Sequence, residues 1–244
     1  MRWTRRQFVV AAGAGLAGAA NAPKLAVIFV ESVPERGGWH FTRAYAACPE
    51  PAALRASIAS GMFPHSRSQG RALTILDAEA QGVPTLFVTR PEGDSPFERS
   101  VRLKMTLRHP RAASNVSDVP FSTVDVAPTM FGLSGIAAPE GVQGRDLSAL
   151  LLTGAGERPE SVYLEGGLST ADEWRAVVRG FDKLVVRPNL EVLHLFNLAE
   201  DPAESRDLAL EPGHQLRVDE LKALVRVWMR RTADGQDPSG LRRR

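Results

Sequence analysis

The chain has 244 residues, of which 43% are hydrophobic and 24% charged, a composition ordinary for a globular protein with a buried core. The formal net charge is only +2, and much of the basic excess lies in Arg2, Arg5, Arg6 and residues 242–244. The remaining body is slightly acidic, which argues against a nucleic-acid-binding surface. The single cysteine, Cys48, has no partner for an internal disulfide.

The first 22 residues have the features of an export signal. The stretch Thr4-Arg5-Arg6-Gln7-Phe8-Val9 precedes an apolar run rich in Gly and Ala, and no acidic residue occurs before Glu31. The paired arginines resemble the twin-arginine export motif, and the apolar run is too short to span a membrane. We therefore predict a signal peptide over residues 1–22, and a protein exported to the periplasm or beyond without a membrane span.

The first half of the mature chain mixes strands with helices. Apolar, β-branched composition or alternation predicts strands over residues 25–30, 83–89 and 101–107. An Ala-rich helix is predicted over residues 51–60, with Pro51 at its start and Gly61 at its end. Ser122 and Asp125 have capping-box spacing before a further helix that Gly135 ends.

The last third of the chain changes character. Residues 174–186 and 190–198 predict antiparallel strands joined around Pro188-Asn189. Residues 218–229 predict an amphipathic helix. From Thr232 onward the chain is polar and basic, which predicts a disordered tail over residues 232–244.

Four parts of the sequence, in order along the chain, have a recognisable pattern: residues 41–48 with 55–65, residues 96–102 with 107–110, residues 122–147, and residues 174–183 with 195–202 and 207–209. Together they resemble sulfatases of the alkaline-phosphatase superfamily. The first ends in Ser60-Gly-Met-Phe-Pro-His65 and is similar to the family's nucleophile region. The resemblance implies a shortened α/β sandwich over residues 23–160, and a C-terminal subdomain over residues 161–231 with a small antiparallel sheet plus a helix.

The resemblance also implies a nucleophile. Sulfatases use a modified cysteine in a Cys-x-Pro-x-Arg pattern to hydrolyse sulfuric esters. Counting back from Gly61 places Arg55 on the family arginine and Pro51 on the nucleophile, with Cys48 three residues earlier. Cys48 and Arg55 are the candidate catalytic residues. The competing interpretations are a small apolar core residue for Cys48 and a solvated helix residue for Arg55.

Calcium is the cofactor that the resemblance implies, held by carboxylates after two strands. Here the first strand is followed by Glu31-Ser32, and the later one continues as Thr89-Arg90. Glu31 is the candidate metal ligand, while Arg90 places a positive charge where a carboxylate is needed. Because calcium prefers six or more oxygen ligands, we expect that Ca²⁺ is not retained.

Three functions stay open at this point. The chain is a degenerate sulfatase with little or no activity, an active ester hydrolase with a rearranged site built on Cys48, Arg55 and Glu31, or a non-catalytic module that binds an anion, a glycan or a partner. A sulfated small molecule or glycan is the expected ligand. Loss of central segments would uncover strand edges, so we also expect marginal stability or a homo-oligomer.

Overall fold

The structure, a computed structural model, describes residues 23–66, 73–112 and 115–235, so the predicted signal peptide and the end of the predicted tail lie outside it. The strands of the first sheet are Lys24–Val30 (β1), Trp39–Tyr45 (β2), Thr74–Leu76 (β3), Thr85–Thr89 (β4), Arg102–Arg108 (β5), Asn115–Ser117 (β6) and Phe121–Ser122 (β7). Those of the second sheet are Ser161–Gly166 (β8), Trp174–Arg179 (β9), Asp182–Val186 (β10) and Val192–Asn197 (β11). The helices are Pro51–Ser60 (α1), Glu98–Val101 (α2), Val126–Leu133 (α3), Ser148–Thr153 (α4) and Gln215–Thr232 (α5).

The first sheet is mixed, with strand order β3-β1-β4-β5-β2-β6 and β7 also paired to β2. Strands β3, β1 and β4 run parallel, which confirms the predicted buried parallel strand, whereas β5 is antiparallel to both of its neighbours. Alternate residues of the central strands, such as Leu25 and Val27 of β1, form one core with α1, α3 and α4. In the described part of the chain, no helix combines the length and hydropathy needed to cross a bilayer.

Helix α1 has the bounds that the sequence predicts. Pro51 occupies the start of the helix, where its missing N–H costs no helical hydrogen bond. Gly61 ends it in the left-handed conformation, at a φ of 71°, and donates its N–H to the carbonyl of Ser57. A side chain at Gly61 would meet Pro128 Cδ at 2.9 Å, so this position requires glycine for both its conformation and its space.

The second sheet is antiparallel, in the order β11-β10-β9-β8. One face packs on α5 through Val177, Leu184 and Trp228 among others, and the opposite face packs on Tyr45 of β2 and Val101 of α2. The predicted single strand over residues 174–186 is wrong: it is the hairpin β9–β10, because Gly180 adopts a φ of 59° that permits a tight turn.

The start of the predicted tail also needs correction. Helix α5 continues through Thr232, and both Thr232 and Asp234 are buried. These residues read as polar in the sequence, but their polar atoms are satisfied by contacts inside the protein. The ordered chain therefore extends at least to Gly235.

A buried lysine of the second sheet binds helix α2 and the loop after β11. Lys183 of β10 is fully buried, and its Nζ lies 2.8 Å from Glu204 Oε1 and 3.1 Å from Glu98 Oε1 of α2. Glu204 also accepts the N–H of Glu98, which closes the cluster. A charge in such a position is tolerated because both of its partners are ionic and close.

We predict that Lys183→Met destabilises the protein by about 3 kcal/mol, because it leaves the buried Glu204 carboxylate without its cation, whereas Glu98 keeps its ion pair with Arg102. Arg187→Met is the matched control, since Arg187 is more than a third exposed and its ion pair with Glu191 is long, at 3.8 Å. Urea unfolding of both variants and the wild type provides the measurement. Equal midpoints for the two variants would show that the Lys183 cluster contributes no more than a surface pair.

Candidate functional site

Two parallel strands, β1 and β4, end level with each other at one edge of the first sheet, because Val30 pairs with Thr89. The residues that follow them, Glu31 and Arg90, therefore lie side by side along this edge. Strand β3 pairs only with residues 24–26 of β1, so Asp77, which follows it, lies further back along the sheet. Open α/β sheets bind ligands at the carboxyl ends of their strands, where the connections diverge to opposite sides. This edge is therefore the first place to look for a ligand site.

Two arginines meet one aromatic ring at this edge. Arg55 of α1 lies with its Cζ 5.8 Å from the centre of the Phe29 ring, and Arg90 lies with its Cζ 5.7 Å from the same centre. Both distances permit a cation–π interaction. We call these two residues, Arg55 and Arg90, together with the Phe29 ring that both contact, the arginine pair. Asp77 faces Arg55, with Nη2 and Oδ1 2.6 Å apart.

The arginine pair is reachable from solvent. The Arg55 side chain is 26% exposed and that of Asp77 54%, while Arg90 and Glu31 are classed among the exposed residues. The structure thus brings the predicted Arg55 to the strand edge that also carries the predicted ligand Glu31. Two guanidinium groups can donate hydrogen bonds to an oxyanion there, in competition with Asp77.

Cys48 lies in a different environment. It is fully buried ahead of α1, and its Sγ donates to Glu50 Oε2 at 2.7 Å. Burial, followed by the hydrogen bond and negative charge of Glu50, raises the pKa of the Cys48 thiol far above its usual range. Glu50 is held in turn by the Gly167 N–H at 2.9 Å. Since the thiolate is the reactive form, this thiol is placed as a hydrogen-bond donor.

A buried polar network, absent from the sequence-based candidates, begins at the turn after α1. His65 Nδ1 is 2.5 Å from Glu165 Oε2 of β8, and the His65 N–H donates to Glu165 Oε1 at 2.9 Å. Asp234 receives Tyr163 OH at 2.5 Å and both Nε and Nη2 of Arg175. The network joins the turn after α1, the second sheet and the end of α5.

Within the described residues, His65, Glu165 and Asp234 form the group whose ligand atoms could surround a metal, all within 4.8 Å of one another. Arg175 already supplies a cation to this group: it binds Asp234 through two nitrogens and lies 3.9 Å from Glu165. A metal ion would have to displace that guanidinium. The arrangement is an ion-pair network in which a guanidinium already balances the carboxylate charge.

The sequence block over residues 122–147 supports the scaffold. Asp125 is buried, accepts the Ser122 N–H at 2.9 Å as the capping-box spacing predicts, and pairs with Arg145 Nη2 at 2.8 Å. A side chain at Gly144 would lie 1.9 Å from the carbonyl oxygen of Val124, so the loop packs directly on the backbone before α3. This part of the resemblance reflects packing, not chemistry.

No family model matches the sequence, and a search of curated proteins finds no match. Solved structures do match its fold. BT4656, determined in complex with its substrate D-glucosamine-2-N,6-O-disulfate, matches with a TM-score of 0.56 and 16% identity over 62% of this chain and 35% of that chain. BT1596, a 2-O GAG sulfatase, matches with a TM-score of 0.55 and 19% identity, over 62% of this chain and 37% of that chain. The phosphonate monoester hydrolase of Agrobacterium radiobacter matches with a TM-score of 0.52 and 16% identity, over 66% of this chain and 39% of that chain.

The chain therefore has, in shortened form, the α/β fold shared by sulfatases and phosphonate monoester hydrolases. The predicted resemblance is confirmed at the level of the fold, as is the antiparallel C-terminal sheet. The chain spans little more than a third of the length of these proteins, between 35% and 39%.

We predict that Cys48 is inert to thiol reagents in the folded protein. Its burial and raised pKa leave little accessible thiolate at about pH 8, where an exposed cysteine of pKa about 8.5 reacts readily. Ellman's reagent should modify the single thiol only after a denaturant is added, and the denatured sample serves as the control. Fast, stoichiometric labelling of the native protein would contradict the buried placement.

Proposed function

We propose that this protein is an exported member of the sulfatase family that binds a sulfated small molecule or glycan at the arginine pair and hydrolyses it little or not at all. The observation that carries the proposal is the convergence of Arg55 and Arg90 on Phe29, at the carboxyl ends of parallel strands. Two guanidinium groups on a rigid ring form a ready donor set for the oxygens of a sulfate ester.

The weak catalysis follows from the start of α1. Pro51 stands where the family register places the nucleophile, and its ring offers no atom that can attack sulfur. Cys48, the alternative nucleophile, is a protonated thiol that donates a hydrogen bond to Glu50, and a thiol attacks far less readily than a thiolate. These placements support binding over turnover as the function of the site.

The proposed site does not use calcium. Calcium needs six or more oxygen ligands, mostly charged. The resemblance implies carboxylates at the ends of β1 and β4, where this chain has Glu31-Ser32 and Arg90, and Asp77 is paired with Arg55. The donor set does not fit a divalent cation, and the two arginines supply the positive charge that an anionic ligand requires.

Export rests on the twin-arginine motif in residues 1–22. A folded protein that carries such a signal would meet sulfated sugars outside the cytoplasm. The sugar disulfate bound by BT4656 supplies a probe of the right chemistry.

The binding prediction uses the full chain and three probes: glucosamine 2-N,6-O-disulfate, inorganic sulfate and p-nitrophenyl sulfate. Arg90→Gln and Arg55→Gln should each weaken binding about tenfold, because each removes a charge-assisted hydrogen bond. Asp77→Asn should strengthen it about two- to fivefold, because a competing carboxylate charge is lost. Isothermal titration calorimetry at low salt provides the measurement.

Arg158→Gln is the matched control for binding, since Arg158 forms an exposed ion pair with Asp118 away from the strand edge. Equal affinities for Arg90→Gln, Arg55→Gln and the control would reject the arginine pair as the site. If inorganic sulfate binds as tightly as the two sulfate esters, or more tightly, the site is a general anion site and the proposal of a sulfated ligand is rejected.

The catalytic prediction concerns turnover of p-nitrophenyl sulfate and of a phenyl phosphonate ester by protein coexpressed with the cysteine-maturing enzyme. We expect product release indistinguishable from buffer, with or without calcium, and no rise in melting temperature with calcium, because ligand binding to the folded state would raise it. Activity that disappears in Cys48→Ala would support the alternative of an active hydrolase with a rearranged site.

A further inference from the structure

The end of α5 turns inward. Ala233 adopts a left-handed φ of 57°, and the Asp234 N–H donates to the carbonyl of Met229 at 2.9 Å. This closing turn directs Thr232 and Asp234 into the protein, where they are 1% and 7% exposed. A short polar segment that follows a surface helix is thereby held as tightly as a core element.

Two groups of donors hold the segment. The carbonyl oxygen of Thr232 accepts from Gln143 Nε2 at 2.7 Å and from His65 Nε2 at 3.1 Å. The Asp234 carboxylate accepts from Tyr163 and Arg175. The anchors therefore come from the loop before α4, the turn after α1, and the strands β8 and β9.

The contacts of His65 define its protonation. Its Nε2 faces a carbonyl oxygen, which can only accept, and its Nδ1 faces the Glu165 carboxylate at 2.5 Å. With ionised Glu165, both ring nitrogens must donate, and only the imidazolium carries two N–H groups. The side chain is 10% exposed, so water offers little replacement for either bond.

We propose that residues 232–234 form a pH-sensitive latch, closed while His65 carries a proton on both ring nitrogens and loosened when it becomes neutral. Loss of the Nε2 proton removes the bond to Thr232 directly, and loss of the Nδ1 proton removes the bond to Glu165 that positions the ring against the segment. The latch is independent of the anion site proposed above.

The surrounding charges favour the closed latch around neutral pH. Glu165 from β8 and Asp234 from the segment itself face His65 with negative charge, while Arg175 from β9 is the opposing cation and is neutralised by Asp234. Burial acts to lower the pKa of His65, but the hydrogen bond and charge of Glu165, helped by Asp234, outweigh it and raise the pKa. Phe63, Tyr163 and Gln143 complete the enclosure without a formal charge.

The direction of the pH effect follows from linkage. With its folded pKa raised, His65 contributes its full stabilisation below the unfolded value of about 6.5 and loses it as pH rises through the folded pKa. On the acid side, burial raises the pKa of Asp234, but Arg175 outweighs it and lowers the pKa. The Asp234 contribution is present above its unfolded value of about 3.9 and is lost as pH falls through the folded pKa.

Hydrogen exchange followed by mass spectrometry tests the latch on the full chain, with rates corrected for intrinsic exchange. Between about pH 6 and about pH 8.5, protection of the peptide around residues 228–235 should fall about tenfold or more. Peptides from β1 and β4 should not change, which separates local release from global unfolding. In the same range the imidazole proton signals of His65 should titrate with a midpoint above about 6.5.

His65→Gln should already have reduced protection of this peptide at about pH 6 and should lack the pH dependence. His194→Gln is the matched control, because His194 pairs with Asp207 at 2.8 Å but is 36% exposed. If His65→Gln fails to fold, the wild-type measurements decide alone. Protection in the wild type that does not vary with pH, or a His65 midpoint at or below that of a free histidine, would overturn the proposal.

Discussion

Burial of charged groups at the junction of the two sheets constrains the whole structure. Lys183, Arg175 and Asp125 are each buried, and each would cost several kcal/mol if its partner were removed. Their partners lie far away in sequence: Glu98 and Glu204 for Lys183, Asp234 for Arg175. Such pairs form only when α2, the second sheet and the end of α5 are correctly placed, so they select one arrangement of a shortened fold.

The residues that stabilise the fold differ from those of the proposed ligand site. The sequence blocks that resemble sulfatases include those that make the buried contacts, such as Asp125 with Arg145 and the turn carrying His65. At the strand edge Arg90 is exposed and Arg55 is 26% exposed, and neither residue belongs to the buried pairs named above. Substitutions of these two residues are therefore expected to leave the fold intact.

Local signals in the sequence predict strand β1, helix α1 and the place of Pro51 at the helix start, because an apolar run, a proline and a glycine each act within a few residues. Such signals do not predict that Glu165, Arg175 and Asp234 are buried together. In a strand, an isolated charged residue normally marks the solvent face, and only the three-dimensional pairing shows that Glu165 and Arg175 face inward. The burial of Thr232 and Asp234 was likewise missed, since partners 71 residues apart, as for Tyr163 and Asp234, leave no periodic pattern.

On the proposed function, two arginines and no metal ion neutralise the bound anion, and this difference limits what the site can do. A divalent cation polarises an ester oxygen and lowers the barrier to attack at sulfur. Guanidinium groups match the geometry of an oxyanion and neutralise its charge, but they neither activate a nucleophile nor replace one. On the proposed function, Arg55 and Arg90 retain recognition, while Pro51 removes the attacking group. The site then binds the intact ester in its ground state. Because the ester is not cleaved, the complex lasts until the ligand dissociates.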